Sequence, residues 1–378
     1  MTKSSAPRSH RPRAPRVGAI LLAVAGSVST TAHAAGEVSA VETEEAPATR
    51  SDYTIGDTVF EWGLGPNRVL RAFVAGGERY LPLRSAERTE IRRVDRPGVA
   101  TGSPCGLFAE TLDTAGTRLA PDFPALPDGN CDTAALLASD LLNRGALDLF
   151  SNRPPTTKNI ERVDFLFDAG LNAPFDPAGG TLAGHLVGDK SGNNPVQMAA
   201  VLALDDDGMP SAYGPLVRVG TFRCTDSDVC YGSTGLTHDY AFLQSAPLPP
   251  PGAPAPLTRF TEPVGLAYVS ARTLGLGAGQ RYHGVSLFAE DVDPAVHDPL
   301  DPSTFPDDTI DRTRDVAGDS VDLHGGGSRH YVAEAANVAN GQVACSVPGG
   351  TRAVGVPGVD VAVLTDAAGD GVVVQMRF

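Results

Sequence analysis

Lysine, tryptophan and long apolar runs are scarce in this chain of 378 residues. The sequence contains three lysines and one tryptophan, and aromatic residues make up 6% of it. Its main apolar stretch, residues 17–28, is interrupted by Gly26 and Ser27, whereas a helix needs about 20 apolar residues to cross a bilayer. We therefore expect no membrane span in the mature chain.

Long uninterrupted helix-forming segments are also rare. The 42 glycines and 31 prolines interrupt most windows of helical length, which excludes long helical bundles and coiled coils. Hydrophobic residues make up 42% of the chain, enough for a sizeable core at this length. The composition predicts a mostly β fold, a large antiparallel β-sandwich of jelly-roll or immunoglobulin-like type, with one short helix and long loops.

The first 34 residues have the pattern of a secretory signal. The apolar stretch is followed by the small-x-small pattern Ala32-His33-Ala34 and preceded by five basic residues: Lys3, Arg8, Arg11, Arg13 and Arg16. The pattern predicts a signal peptide over residues 1–34 and a secreted protein, extracellular or periplasmic. Without this segment, 25 basic residues face 45 acidic ones, a net charge of about −20. Such a charge disfavours nucleic acid as a partner and favours hard cations such as Ca²⁺.

Five cysteines follow the predicted cleavage point. In an exported chain, cysteines are first interpreted as disulfide candidates. Cys105 and Cys131 bracket a turn-rich stretch, and Cys224 and Cys230 bracket five residues. The spacing predicts the local bridges Cys105–Cys131 and Cys224–Cys230, with Cys345 left over.

Composition divides the rest of the chain into three parts. Residues 35–52 are small, acidic and non-aromatic, which predicts a disordered N-terminus of the mature chain. Short apolar runs split by Gly, Asn and Pro predict a sandwich domain over residues 53–330, with a proline-rich insertion at 246–256. The clearest strand signal is in residues 159–168, where Val163, Phe165 and Phe167 share one face. A helix capped by Asp132 is predicted through Leu142, and residues 331–378 are expected to supply strands that pack on the same domain.

Three stretches together resemble a known group of proteins. They are residues 159–167, residues 194–205 with 210–214, and residues 275–292. They are similar to the N-terminal, non-repeat region of large secreted bacterial surface proteins that carry immunoglobulin-like repeats downstream. The resemblance implies a β-sandwich at a cell surface and no known reaction.

Catalytic motifs are weak. Residues 318–321, Gly-Asp-Ser-Val, resemble the nucleophile block of GDS-type esterases, which would make Ser320 the nucleophile, but no histidine follows His330 to complete a late base motif. Asp164 and Asp168 lie on one strand face, where facing carboxylates could serve glycoside hydrolysis. Glu61 stands beside Trp62, which could form a sugar platform. The histidines lack the HxH or HExxH spacing of transition-metal sites.

The acidic stretch that starts at Glu290 is the strongest ligand candidate. Ca²⁺ takes six to eight oxygen ligands from carboxylates and carbonyls, and this stretch supplies both, although the order typical of EF-hand loops is missing. The sequence predicts a calcium site at Asp291, Asp293, Asp298 and Asp301. A bound cation would relieve carboxylate repulsion and stabilise the folded state.

These observations lead to a functional expectation. We expect an exported β-sandwich protein without enzymatic activity that acts as a surface, matrix or adhesive module, with an extracellular polysaccharide or a surface protein as its partner. The alternative is a secreted hydrolase or lectin that acts on polysaccharide.

Overall fold

A computed structural model describes most of the region predicted to fold. The described residues are 36–47, 51–55, 58–62, 67–94, 106–110, 133–151, 159–174, 181–225, 227–244, 259–306, 310–311, 316–317, 320–334, 360–365 and 372–377. Strands dominate these described residues, which contain one short α-helix, α1 (Thr133–Ala138), and a 3₁₀ turn at Pro302–Thr304. The mostly β class predicted from composition is confirmed.

The strands are short and numerous, as the glycine and proline content requires. In chain order they are β1 (Val38–Ala46), β2 (Ser51–Ile55), β3 (Thr58–Trp62), β4 (Asn67–Ala75), β5 (Glu78–Ser85), β6 (Arg88–Arg93), β7 (Gly106–Glu110), β8 (Arg144–Ala146), β9 (Ile160–Asn172), β10 (Ala183–Lys190), β11 (Val196–Leu204), β12 (Pro210–Tyr213), β13 (Val217–Gly220), β14 (Val229–Cys230), β15 (Gly232–Gln244), β16 (Arg259–Ser270), β17 (Arg281–Ala289), β18 (Ile310–Asp311), β19 (Val316–Ala317), β20 (Leu323–His324), β21 (Arg329–Ala333), β22 (Asp360–Thr365) and β23 (Val372–Arg377).

Two sheets form the two layers of the sandwich. The larger has ten strands in the order β1-β4-β5-β21-β10-β16-β15-β7-β8-β20, and the smaller follows the order β14-β13-β11-β17-β9-β6, with β12 paired to β11. The pairs are antiparallel except β13 with β14. Side chains alternate between the two faces of each strand, so both sheets present an apolar face to the space between them. We call this space the first core, and it includes Phe165, Val187 and Val285.

The larger sheet curls and encloses a second core on its other face. Glu37, just before β1, bridges to Ala267 of β16, and β1 itself pairs with β4. The second core has four aromatic rings, with centroids 4.2–5.6 Å apart in the contacting pairs: Phe73, Tyr80, Tyr268 and Tyr331. Strand β10 is buried along its whole length because one core lies on each of its faces.

The prediction that residues 35–52 are disordered is wrong for β1. Val38 is fully buried in the second core, while the glutamates that suggested disorder lie on the solvent side. Glu42 pairs with Arg79 of β5 and Glu44 with Arg71 of β4, both at 2.7 Å. The acidic residues therefore form the outer face of an edge strand.

Other predictions hold to within a few residues. The strand predicted at 159–168 is present and runs longer, as β9. The helix is shorter than predicted, since it ends at Ala138 and the chain turns before Leu142. Its predicted cap, Asp132, and the proline-rich insertion at 246–256 lie outside the described residues.

The last two strands form a hairpin. Strands β22 and β23 pair with each other in a two-stranded sheet of their own. By contrast, β21, at the start of the predicted C-terminal part, is a member of the larger sheet between β5 and β10. The packing of the hairpin on the same domain stays a prediction.

Candidate functional site

Residues 290–306 pack on the face of the smaller sheet that carries Arg162, Asp164 and Gln197, and two of them, Val292 and Phe305, belong to its hydrophobic core. Gln197 of β11 anchors this loop, because its Nε2 lies 3.0, 3.1 and 2.7 Å from the carbonyl oxygens of Ala289, Glu290 and Val292. Arg162 of β9 donates from Nη1 to the carbonyl oxygen of Pro299 at 3.0 Å. The loop is therefore fixed at both its start and its middle by side chains of the sheet.

Aromatic contacts close the space beneath the loop. Phe305 packs against Phe288 of β17, with ring centroids 6.0 Å apart. Phe288 also meets Tyr213 of β12 at 5.3 Å, in an edge-to-face arrangement. Because these rings are buried or half-buried, water is excluded from the polar groups beside them.

The polar groups beneath the loop form a satisfied ionic cluster. The Asp164 carboxylate accepts from Arg162 Nε at 2.8 Å and from Ser286 Oγ at 2.5 Å, and both charged side chains are buried. Ser286 Oγ also lies 3.1 Å from Tyr213 Oη, and the Arg162 guanidinium lies over the Tyr213 ring. Burial, and then the charge of Asp164, raises the pKa of Tyr213, so its hydroxyl stays protonated.

The four predicted calcium ligands lie in the loop, but three of them accept hydrogen bonds from nearby residues of the same loop. Oδ1 of Asp293 accepts the backbone N–H of Ala295 at 2.9 Å, and Oδ1 of Asp298 accepts that of Leu300 at 2.9 Å. Asp301 accepts from the backbone and the hydroxyl of Ser303, whereas Asp291 is buried. In the part of the chain that the structure describes, no three His, Cys, Asp or Glu residues are grouped to hold a metal ion. The calcium site stays a prediction.

These turns present apolar side chains to solvent. Val296 is 72% exposed and Leu300 is 42% exposed. Among the described residues, the other large hydrophobic side chain with comparable exposure is Leu83 of β5, at 56%. We call residues 293–301 the loop tip: a fixed turn structure that combines two exposed aliphatic side chains with carboxylates. The loop tip therefore exposes two aliphatic side chains on turns that are held by hydrogen bonds.

The two aspartates considered for glycoside hydrolysis, Asp164 and Asp168, each form an ion pair with an arginine. Asp164 belongs to the buried cluster with Arg162, and Asp168 pairs with Arg88 at 2.7 Å. Ser320 is buried, and its Oγ accepts the backbone N–H of Phe150 at 2.9 Å, an arrangement that holds two segments together. The side chains of Glu61 and Trp62 lie outside the described residues.

Sequence reasoning missed a histidine pair inside the first core. His185 of β10 and His330 of β21 are direct partners across neighbouring strands, and Arg84 of β5 is the next residue in the same row. The two imidazole rings are 5.4 Å apart, and His185 Nε2 is 3.1 Å from the hydroxyl of Tyr282. Burial, and then the charge of Arg84, lowers the pKa of His330 to about 4. Burial lowers the pKa of His185 as well, so both rings are neutral at pH 7.

One of the two predicted disulfides is confirmed. Cys224 and Cys230 are bonded, with Cα atoms 5.5 Å apart. The bond links Cys224, in the connection between β13 and β14, to Cys230 at the end of β14. Cys105, Cys131 and Cys345 lie outside the described residues, so the Cys105–Cys131 bridge stays a prediction.

Comparisons with known proteins give no relative on which to base a function. No family model, no curated protein and no solved structure matches this chain. Within the described ranges, none of the helical segments has the length and apolar character to cross a membrane.

Proposed function

We propose that this protein is an exported, non-enzymatic β-sandwich that acts as a surface, matrix or adhesive module and that the loop tip is its contact surface. The observation that carries the proposal is the exposure of Val296 and Leu300 on a loop fixed by Gln197 and Arg162. A pre-organised loop loses little conformational entropy on binding, so its exposed apolar area contributes efficiently to affinity.

Two further features support an extracellular binding role. The Cys224–Cys230 disulfide suits an oxidising compartment. The carboxylates that could suggest hydrolysis, Asp164 and Asp168, are each paired with an arginine, which leaves neither as an acid facing a cleft. The partner class is an extracellular polysaccharide or a surface protein.

Co-sedimentation tests this proposal. The purified protein is mixed with insoluble cellulose, chitin and peptidoglycan and with intact bacterial cells, and the bound fraction is measured. We expect retention on at least one of these surfaces and about tenfold weaker retention of the Val296→Ser/Leu300→Ser double variant, since loss of two central apolar contacts costs more than 1 kcal/mol. The matched control, Leu83→Ser, removes a leucine of comparable exposure that is distant in sequence from the loop tip, and it should bind like the wild type.

Three results would contradict the proposal. Absence of retention on every surface would exclude the adhesive function, and equal retention of the double variant would exclude the loop tip as the contact surface. Release of soluble sugar from any of the polysaccharides would favour the hydrolase alternative.

A further inference from the structure

A buried lysine faces a buried aspartate in the larger sheet. Lys190, at the end of β10, places Nζ 2.9 Å from Oδ2 of Asp322, just before β20, and each side chain is less than a tenth exposed. The backbone N–H of Lys190 donates to the carbonyl oxygen of Asp322 at 3.0 Å, so the end of β10 and the residue before β20 lie side by side. The pair is therefore held in contact by the sheet itself.

The choice of lysine is unusual in this chain. The sequence has 27 arginines and three lysines, and Lys190 is the lysine that the structure describes. The other described ion pair with both side chains buried, Arg162–Asp164, uses arginine, and so does the half-buried pair Arg218–Glu290. Arginine forms stronger paired hydrogen bonds with carboxylates and remains charged, whereas a lysine amine can lose its proton and act as a nucleophile. A lysine at this position permits a reaction of the side-chain nitrogen that an arginine would not.

The other carboxylate oxygen of Asp322 is held by a strained donor. Oδ1 accepts the backbone N–H of Asp148 at 2.7 Å, and Asp148 has a φ of 43°, a left-handed conformation that is costly for a residue other than glycine. Leu149 and Phe150, the next two residues, donate to the carbonyl oxygen of Val321 and to Ser320 Oγ. Residues 148–150 therefore donate three hydrogen bonds to residues 320–322, and one of them, from the N–H of Asp148, reaches the carboxyl group of Asp322.

A second buried carboxyl, that of Asp189, fixes the backbone of Asp322. Asp189 is fully buried, and its Oδ1 accepts the N–H of Asp322 at 2.8 Å. Burial, and then the charge of Asp322, raises the pKa of Asp189 well above its usual range. Asp189 is a positioning residue, since it holds the main chain from which the Asp322 carboxyl projects.

We propose that Lys190 and Asp322 condense to an intramolecular amide bond that cross-links β10 to the segment before β20. The Nζ atom attacks Cγ of Asp322, the new C–N bond forms, and the bond from Cγ to Oδ2 breaks. Oδ2 leaves as water with two of the protons of the ammonium group, while Oδ1 becomes the amide oxygen. The condensation consumes no oxidant, metal or cofactor.

The geometry serves each part of this step. The N–H of Asp148 stabilises the negative charge that develops on Oδ1, as a backbone donor does in an oxyanion hole. Oδ2, the oxygen beside the ammonium group, is in place to receive protons from it. Burial lowers and the neighbouring Asp322 raises the pKa of Lys190, with a net increase, so attack follows transfer of a proton from the ammonium group to the carboxylate within the pair. Exclusion of water favours the neutral amide over the buried ion pair.

Peptide mass spectrometry of the folded, purified protein tests the cross-link. Trypsin does not cleave after an acylated lysine, so we expect residues 163–218 to remain joined and to carry residues 315–329 as a branch. The mass of this branched peptide should be one water less than the sum of its parts. Recovery of separate linear peptides 163–190, 191–218 and 315–329 in full yield would overturn the proposal.

Two variants separate the reaction from the ion pair. Lys190→Arg keeps the positive charge and should give only unlinked peptides. Asp322→Asn should give the same branched peptide as the wild type, because the amide group leaves as ammonia instead of water. A branched peptide in Lys190→Arg, or its absence in a folded Asp322→Asn, would contradict the mechanism. These masses are read without any binding partner, so the outcome is independent of the proposed adhesive function.

Discussion

At the scale of single residues, His330 links the stability of the fold to pH. Both of its ring nitrogens lack a hydrogen-bond partner among the described residues, and the groups that face it are Arg84, His185 and Tyr282. Its pKa in the folded state is about 4, below the value of about 6.5 in an unfolded chain. The unfolded chain therefore takes up the proton first, so stability is full above about pH 6.5 and decreases as the pH falls towards 4.

The prediction is a loss of about 2 kcal/mol from this residue between pH 7 and pH 5. Urea unfolding at the two pH values measures it. His330→Leu removes the titrating group and should reduce the difference by that amount. Val332→Ala, a control on the same strand, should lower stability equally at both pH values. The same pH difference in His330→Leu as in the wild type would show that His330 does not carry the effect.

The two aspartates of β9 should differ sharply in their contribution to stability. Asp164→Ala leaves the buried Arg162 without its carboxylate and should cost about 3–5 kcal/mol of the free energy of unfolding. Asp168→Ala removes an exposed partner of Arg88 and should cost less than about 1 kcal/mol. Urea unfolding of both variants at pH 7 checks this, and losses of similar size would mean that the covered face is not excluded from water.

At the scale of elements, Gln197 is one of the two side chains of the sheet that fix the loop over residues 290–306. Gln197→Met keeps the length of the side chain but removes its bonds to the loop carbonyls. Hydrogen exchange should then become about tenfold faster at the loop amides that donate within it, those of His297, Asp301 and Thr304. Gln280→Met, in another turn, is the control. Unchanged exchange in Gln197→Met would show that the loop is held by other contacts.

The local sequence pattern predicted many of the strands but few of the contacts between residues of different strands. The alternation of β9 is a property of neighbouring residues, so this strand could be recognised from the sequence. The acids of β1 suggested disorder because their partners, Arg71 and Arg79, lie on other strands. The same reason hides the pairing of His185 with His330 and of Lys190 with Asp322. These groups come together through the register of strands that are distant in sequence, and the periodicity of a single segment does not predict that register.

At the scale of the whole molecule, strands β10 and β16 are shared by two cores. Val187 and Ala267 face the first core, whereas Leu186 and Leu266 face the second. Neither core can lose these strands and keep its own packing, because successive residues of one strand serve both. The sequence would therefore unfold as one cooperative unit, although its hydrophobic residues are divided between two clusters.

Paired core substitutions test this cooperativity. Phe73→Ala lies in the second core and Leu287→Ala in the first, and each should cost about 2–5 kcal/mol. Unfolding is followed by far-ultraviolet circular dichroism for all strands and by the near-ultraviolet signal, to which the second-core tyrosines Tyr80, Tyr268 and Tyr331 contribute. In both variants we expect the two signals to coincide in one transition at lower urea, since coincident probes mark a two-state process. If Phe73→Ala loses the near-ultraviolet signal before the strands unfold, the second core is an independent unit and the shared strands do not couple it to the first.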